Sequence, residues 1–217
     1  MRLPLLSHLR APARRPLARP LGLLPLWAAL LTGCAASKPD PTLLTLPAAE
    51  VAPPTASGGT ATPRVLAVRR VAIPEYLLTR KVRYRADAST LDEWPQAYWA
   101  ERIEVGVTRE FASALRQALP GWIVCEGSCS DRVADLILQV ELTPLDFSRA
   151  QRSLQTHARV SAAWALTASR GVQLLDQRLQ QPATADTPQA QAQALTDVLE
   201  TVARASAEGL QKLPPPR

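Results

Sequence analysis

Histidine, cysteine and the aromatics are scarce in this 217-residue chain. It has two histidines, three cysteines, and five Trp, three Tyr and two Phe. One histidine, His8, lies in the leader described below, so a zinc site in the body would have His157 alone and would need carboxylates to complete it. No Gly-x-Ser-x-Gly elbow, phosphate loop or dinucleotide fingerprint occurs, and the acidic residues are scattered beside Arg or apolar neighbours. No nucleophile, base and orienting group assemble along the sequence, and the reading is a non-enzyme without metal or cofactor. Internal repeats are absent, and so is any run of 18 apolar residues of the kind a spanning helix requires. The apolar content of 47% is nevertheless too high for a disordered chain. The formal net charge of +6 misleads about partners. Arg2, Arg10, Arg14, Arg15 and Arg19 fall in the first 20 residues with no acid among them, and residues 34–217 carry 20 basic against 19 acidic side chains. A near-neutral body has no basic face for phosphates, which excludes an electrostatic case for nucleic acid.

The N-terminus has the form of an export signal. The arginines precede a run of eleven residues, Leu21–Leu31, and then Thr32, Gly33 and Cys34. Eleven residues rising 1.5 Å each cannot cross a hydrocarbon core of about 30 Å. A basic n-region, a short apolar h-region and small residues before a cleavage point read as a signal peptide over residues 1–33. Leu31-Thr32-Gly33-Cys34 resembles the lipobox of bacterial lipoproteins. The resemblance implies a diacylated thiol on Cys34, cleavage before it and acylation of the new amine. The competing reading is an ordinary buried cysteine. Two or three acyl chains anchor stably where one does not. Ala35, where an inner-membrane retention signal would place Asp, favours the inner leaflet of the outer membrane, facing the periplasm. Residues 34–41 then serve as a lipidated tether.

Cys125 and Cys129 enclose Glu126, Gly127 and Ser128. In an exported chain a structural disulfide is expected, with free thiols or a metal pair as alternatives. Gly127 and Ser128 suit the tight turn such a bridge needs. His157 stands on the more polar side of an alternating segment and reads as an exposed strand residue.

Periodicity divides the body. Thr42–Leu46 reads as a short strand and the Pro- and Gly-rich stretch 47–63 as a flexible loop. Arg64–Ile73 is a β-rich run stopped by Pro74, followed by short strands at Tyr76–Thr79 and Val82–Arg85. From Pro95 to Leu119 the spacing of Trp99, Ile103, Val107, Phe111, Ala114, Leu115 and Ala118 predicts a helix, with Pro95 in its first turn. Strands are expected from Trp122, at Leu136–Leu142, at Thr156–Leu166 and at Val172–Leu179, forming an antiparallel meander with one buried face. A last helix runs from Thr187 to Leu213 with Leu195, Val198, Leu199, Val202, Ala205, Ser206 and Leu210 on one face, and 214–217 is a disordered tail. The expected fold is α/β: a single domain over residues 42–213 with a mixed, largely antiparallel twisted sheet packed by two long helices.

Three blocks together carry a further resemblance. Val71-Ala-Ile-Pro-Glu-Tyr-Leu-Leu-Thr-Arg80, then Val82-Arg-Tyr-Arg85, then Leu91-Asp-Glu-Trp94 before a helix resemble the ABC-type transport auxiliary lipoproteins, the PqiC-like family of MCE/Pqi-type systems. Leu43-Leu-Thr-Leu46 resembles the family's opening Tyr-Tyr-x-Leu strand without its tyrosines, which makes 47–63 a loop inside the domain. The resemblance implies a non-enzymatic accessory of a lipid transport system linking the inner and outer membranes. Its implied partners are an MCE-domain protein, ABC transporter subunits and further copies of the chain in a homo-oligomeric ring. On this reading Pro74, Tyr76, Arg80, Arg83, Arg85 and Trp94 form a subunit or partner surface. Core packing of Tyr76 and Trp94, and a solvated strand edge for the arginines, are the competing readings. The alternative function is a scaffold lipoprotein of envelope or secretion machinery with no part in lipid transport.

Overall fold

Thirteen residues, Leu136–Ser148, form the strand around which the domain is organised. Leu136, Leu138, Val140, Leu142, Leu145 and Phe147 are all buried while their alternates face outward, so one side of this strand is continuous core. The spacing slips by one between Leu142 and Leu145, where the ladder shifts at Thr143 and Pro144; proline has no N–H to give it. The computed structural model describes residues 40–48, 62–166 and 171–214.

The strands in chain order are β1 (Thr42–Leu44), β2 (Val65–Val68), β3 (Lys81–Arg85), β4 (Leu91–Trp99), β5 (Ile123–Glu126), β6 (Leu136–Ser148), β7 (Ser153–Trp164) and β8 (Val172–Pro182). The helices are α1 (Ile103–Ala118) and α2 (Pro188–Gln211). One edge of β6 carries the long antiparallel ladder to β7, which pairs in turn with β8. Its other edge is shared. The first part, Leu136–Leu138, takes β2, with β5 beyond it, and the far end, Ser148, takes β3, with β4 and β1 beyond. Eight described strands therefore make one open, branched, mixed sheet in a single α/β domain.

Both helices lie against the apolar face. Ile103, Val107, Phe111, Ala114 and Leu115 of α1 and Leu195, Val198, Leu199, Val202, Ser206 and Leu210 of α2 are buried in the same core cluster or beside it. Thr187 caps α2 by accepting from Ala190 N at 3.2 Å, and Pro188 opens its first turn. Among the described residues no helix is long and apolar enough to cross a membrane.

Four sequence expectations need correction. Pro95 is not in a helix: Leu91–Trp99 is a strand, and the helix begins only at Ile103. Gln96 takes φ 54° there and the β3–β4 register shifts. The resulting bulge spaces buried Trp94, Ala97 and Trp99 unevenly and imitates a helical period. Tyr76 is not in a strand but in a 3-10 turn, Glu75–Leu77, because the Pro74 carbonyl accepts from Leu77 N at 3.0 Å. The run from Arg64 keeps regular pairing only over Val65–Val68, and β5 joins β2 in parallel rather than entering the meander. The competing reading of β3 as a sheet edge fails too, since it lies between β4 and β6.

Candidate functional site

Pro74, with φ −56° and ψ 136°, ends the run from β2 and turns the chain so that Tyr76 projects toward the far end of β6. Its hydroxyl donates to Asp146 Oδ1 at 2.9 Å. Arg85, at the end of β3, donates from Nη2 and Nε to the other oxygen of the same carboxylate at 2.9 and 3.2 Å. Its guanidinium stands 5.7 Å from the Tyr76 ring centroid. Partial burial, with the Asp146 carboxylate accepting its hydrogen bond, pushes the Tyr76 hydroxyl up to about 12. Arg83, two residues back on the same face, donates from Nη1 to the Tyr76 carbonyl at 2.8 Å and pairs with Glu93 of β4 at 3.1 Å. The turn, β3, β4 and β6 are thus clamped by two guanidiniums.

Arg80 differs from its neighbours. It is exposed, it has no ion pair among the described residues, and only its carbonyl is used, accepting from Trp99 N at 2.7 Å. Leu78 beside it is 48% exposed. Arg80 and Leu78 present the outer side of this segment, while Arg83 and Arg85 form its frame. The competing reading of a solvated strand edge therefore fails for Arg83 and Arg85, whose side chains are half-buried in ion pairs, and holds for exposed Arg80 alone.

Trp94 is corrected as well. It is only 6% exposed and stands behind the surface. Its ring lies 5.0 Å from that of Tyr84 and 6.4 Å from that of Phe147, and the Arg149 guanidinium covers it at 4.3 Å. Asp146, Glu93, Gln191 and Arg149 complete this arrangement and were missed by the sequence reading. An acid between Leu145 and Phe147 looks like any outward residue of an alternating strand; its partners come from 61 and 70 residues away.

Cys125 and Cys129 are bonded to each other with Cα atoms 5.5 Å apart, in the wing formed by β2 and β5. His157 Nε2 meets Asp176 Oδ1 on the outward face of β7 and β8, and Arg159 meets Glu141 beside it. Among the described residues no group of three or more His, Cys, Asp or Glu is placed to hold a metal. Cys34 and most of the 47–63 loop lie outside the described residues.

The sequence matches the model of the ABC-type transport auxiliary lipoprotein component family over residues 44–207. The chain belongs to this family. Residues Tyr76, Arg83, Arg85 and Trp94 all fall inside the matched region, as do both framing acids. Two solved structures are similar to this auxiliary component in fold. A crystal structure of an uncharacterised protein aligns at TM-score 0.63 and 17% identity, covering 79% of this chain and 99% of the other. Protein XCC0632 from Xanthomonas campestris, described as a member of the DUF330 family, aligns at TM-score 0.53 and 16% identity, covering 79% and 98%. No curated protein matches the chain significantly.

Proposed function

We propose that this chain is an outer-membrane-anchored, periplasm-facing accessory of an MCE-type lipid transport system, acting by binding rather than by catalysis. The observation that carries the reading is the family match across residues 44–207. The lipobox-like Leu31-Thr32-Gly33-Cys34 supports the anchor, and Ala35 supports the outer membrane as its destination. On this reading the acylated Cys34 holds the domain to the inner leaflet, and the Pro74–Arg85 segment meets the MCE-domain partner. The clamp suits that role. Arg83 and Arg85 fix the turn before a partner arrives, so that little ordering entropy is lost on binding. Arg80, exposed and without an ion pair among the described residues, and Leu78 supply a cation and an apolar side chain for contact.

The test is purification of the full chain, tagged at its C-terminus, from membranes dissolved in mild detergent. An MCE-domain protein and ABC transporter subunits are expected to accompany it, and Arg80→Glu to reduce their yield without reducing the yield of the chain itself. Recovery only with secretion or cell-wall machinery would overturn the lipid-transport role.

A further inference from the structure

Two adjacent arginines follow β2, and the backbone there brings both to one side of the sheet. Val68 pairs with Leu138 of β6 and Ala72 with Glu141, so three residues, Arg69, Arg70 and Val71, stand against two, Gln139 and Val140. The ladder closes around the extra residue: Arg69 N donates to the Leu138 carbonyl and Ala72 N to that of Val140, both at 2.9 Å. In a regular strand consecutive side chains point to opposite faces. A bulge breaks that alternation and re-aims a side chain. Val71 is buried, its N–H given to Thr108 Oγ1 at 3.1 Å, while Arg69 and Arg70 are both exposed.

Both arginines line a cleft of about 480 Å³ on the outward face of the sheet. A row of neutral polar side chains crosses it, Gln139 of β6, Ser161 of β7 and Gln173 of β8, which are register partners. Arg159 and Glu141 line it too and form an ion pair with each other. Arg69 and Arg70 have no ion pair among the described residues. Three guanidiniums thus face one carboxylate, a surplus of two positive charges in a body whose acids and bases otherwise nearly balance. Asp176, the next acid on β8, does not line the cleft and is held by His157 and Gln173. A phosphate monoester carries a charge of about −1.5 to −2 at pH 7 and three strong acceptor oxygens. Guanidinium forks match those oxygens. A carboxylate offers one charge and two oxygens, and a nucleic acid needs an extended basic face that this chain lacks. The neutral row supplies amide and hydroxyl groups for the alcohol part of the ester. We propose that the cleft bounded by Arg69, Arg70 and Arg159 binds a phosphomonoester, carried by a soluble alcohol or by the headgroup of a lipid. The proposal stands independently of the transport reading.

The test is calorimetric titration of the full chain in an uncharged detergent. The probes are glycerol 3-phosphate, micelles doped with phosphatidic acid, and micelles doped with diacylglycerol as the phosphate-free lipid. Saturable binding is expected for a monoester and none for diacylglycerol. Glycerol 3-phosphate binding within about tenfold of phosphatidic acid assigns a soluble ester, and a wider gap in favour of the lipid assigns a headgroup. Arg69→Gln/Arg70→Gln should weaken binding about tenfold or more, since the charge-assisted bonds of both forks are lost. Arg178→Gln, on the same face but outside the cleft, should leave it unchanged. Glu141→Gln should tighten binding about threefold or more by removing the one carboxylate in the cleft, a gain that a folding defect does not produce. Absence of saturable binding by both monoesters would overturn the proposal, as would a double arginine variant that binds like the parent. So would an equal loss in Arg178→Gln, which would report net charge alone. An oligoglutamate peptide that binds more tightly than both monoesters would give the cleft to an acidic protein segment instead.

Discussion

Gln191, in the first turns of α2, accepts from Trp94 Nε1 at 2.6 Å and donates to the Arg83 carbonyl at 2.7 Å. One buried amide thereby ties the helix to β4 and to β3, at the level where β3 carries the guanidinium clamp. Gln191→Leu would leave the indole N–H and the carbonyl facing an apolar side chain. A loss of about 2–4 kcal/mol is expected in urea unfolding, since each orphaned buried group costs about 1–3 kcal/mol. Trp94→Phe removes the donor and should also destabilise. The double variant should cost measurably less than the two single losses added together, because both substitutions break the same contact. Strict additivity would show that the pair contributes nothing as a pair.

Local signals account for much of this architecture. The alternation of Leu136, Leu138, Val140 and Leu142 and the spacing of Leu195, Val198, Leu199 and Val202 correspond to a real strand and a real helix, because each buries one continuous face. Local signals failed where tertiary pairing bends the chain. The bulge at Gln96 breaks the period of two, and a strand holding Pro95 then looks helical. The branching of the sheet had no local sign. β6 lends one edge to β2 and then to β3, and that depends on its length and on the connections between the wings rather than on any residue pattern. The candidate surface was legible in part. Tyr76, Arg83 and Arg85 do come together, but Asp146 and Glu93, which join them, resembled ordinary outward residues, and Trp94 proved to be a core residue.

The anchor is tested at Cys34. Cys34→Ser removes the thiol to which the acyl chains would attach and the residue before which the proposed signal would be cut. The variant should accumulate as an uncleaved precursor or in the soluble fraction, because no described helix is able to cross a bilayer in its place. Complete recovery of this variant with outer membranes after a high-salt wash would exclude lipid anchoring through Cys34.

The bridge between Cys125 and Cys129 closes a loop of only five residues. On the chain-entropy account so short a loop is worth about 2 kcal/mol. Cys125→Ala/Cys129→Ala should therefore unfold with a loss of no more than that, while export and partner binding stay unchanged, because the pair sits in the β2–β5 wing and the clamp is built at the far end of β6. Thiol titration of the parent chain, unfolded without reductant, should find neither of these two sulfurs free. Two titratable thiols would exclude the bridge in the exported protein.

Alkaline titration reads the clamp directly. The chain has three tyrosines, and Tyr76 is held neutral up to about 12, first by partial burial and then by its bond to Asp146. An ordinary tyrosine ionises near 10. A folded-state value above the unfolded one means that the native state retains a proton the unfolded chain has already released. The corresponding stability is fully present below about pH 10 and is lost as pH rises from there toward 12. Phenolate absorbance of the native chain should accordingly show a step near pH 12, and Tyr76→Phe should remove that step. Asp146→Asn should move the step toward lower pH, since it takes away the negative charge beside the phenol while burial remains. It should also release Arg85, which loses the carboxylate it now shares with Tyr76. A late step that survives Tyr76→Phe would assign it to another tyrosine and break the link between the turn and β6.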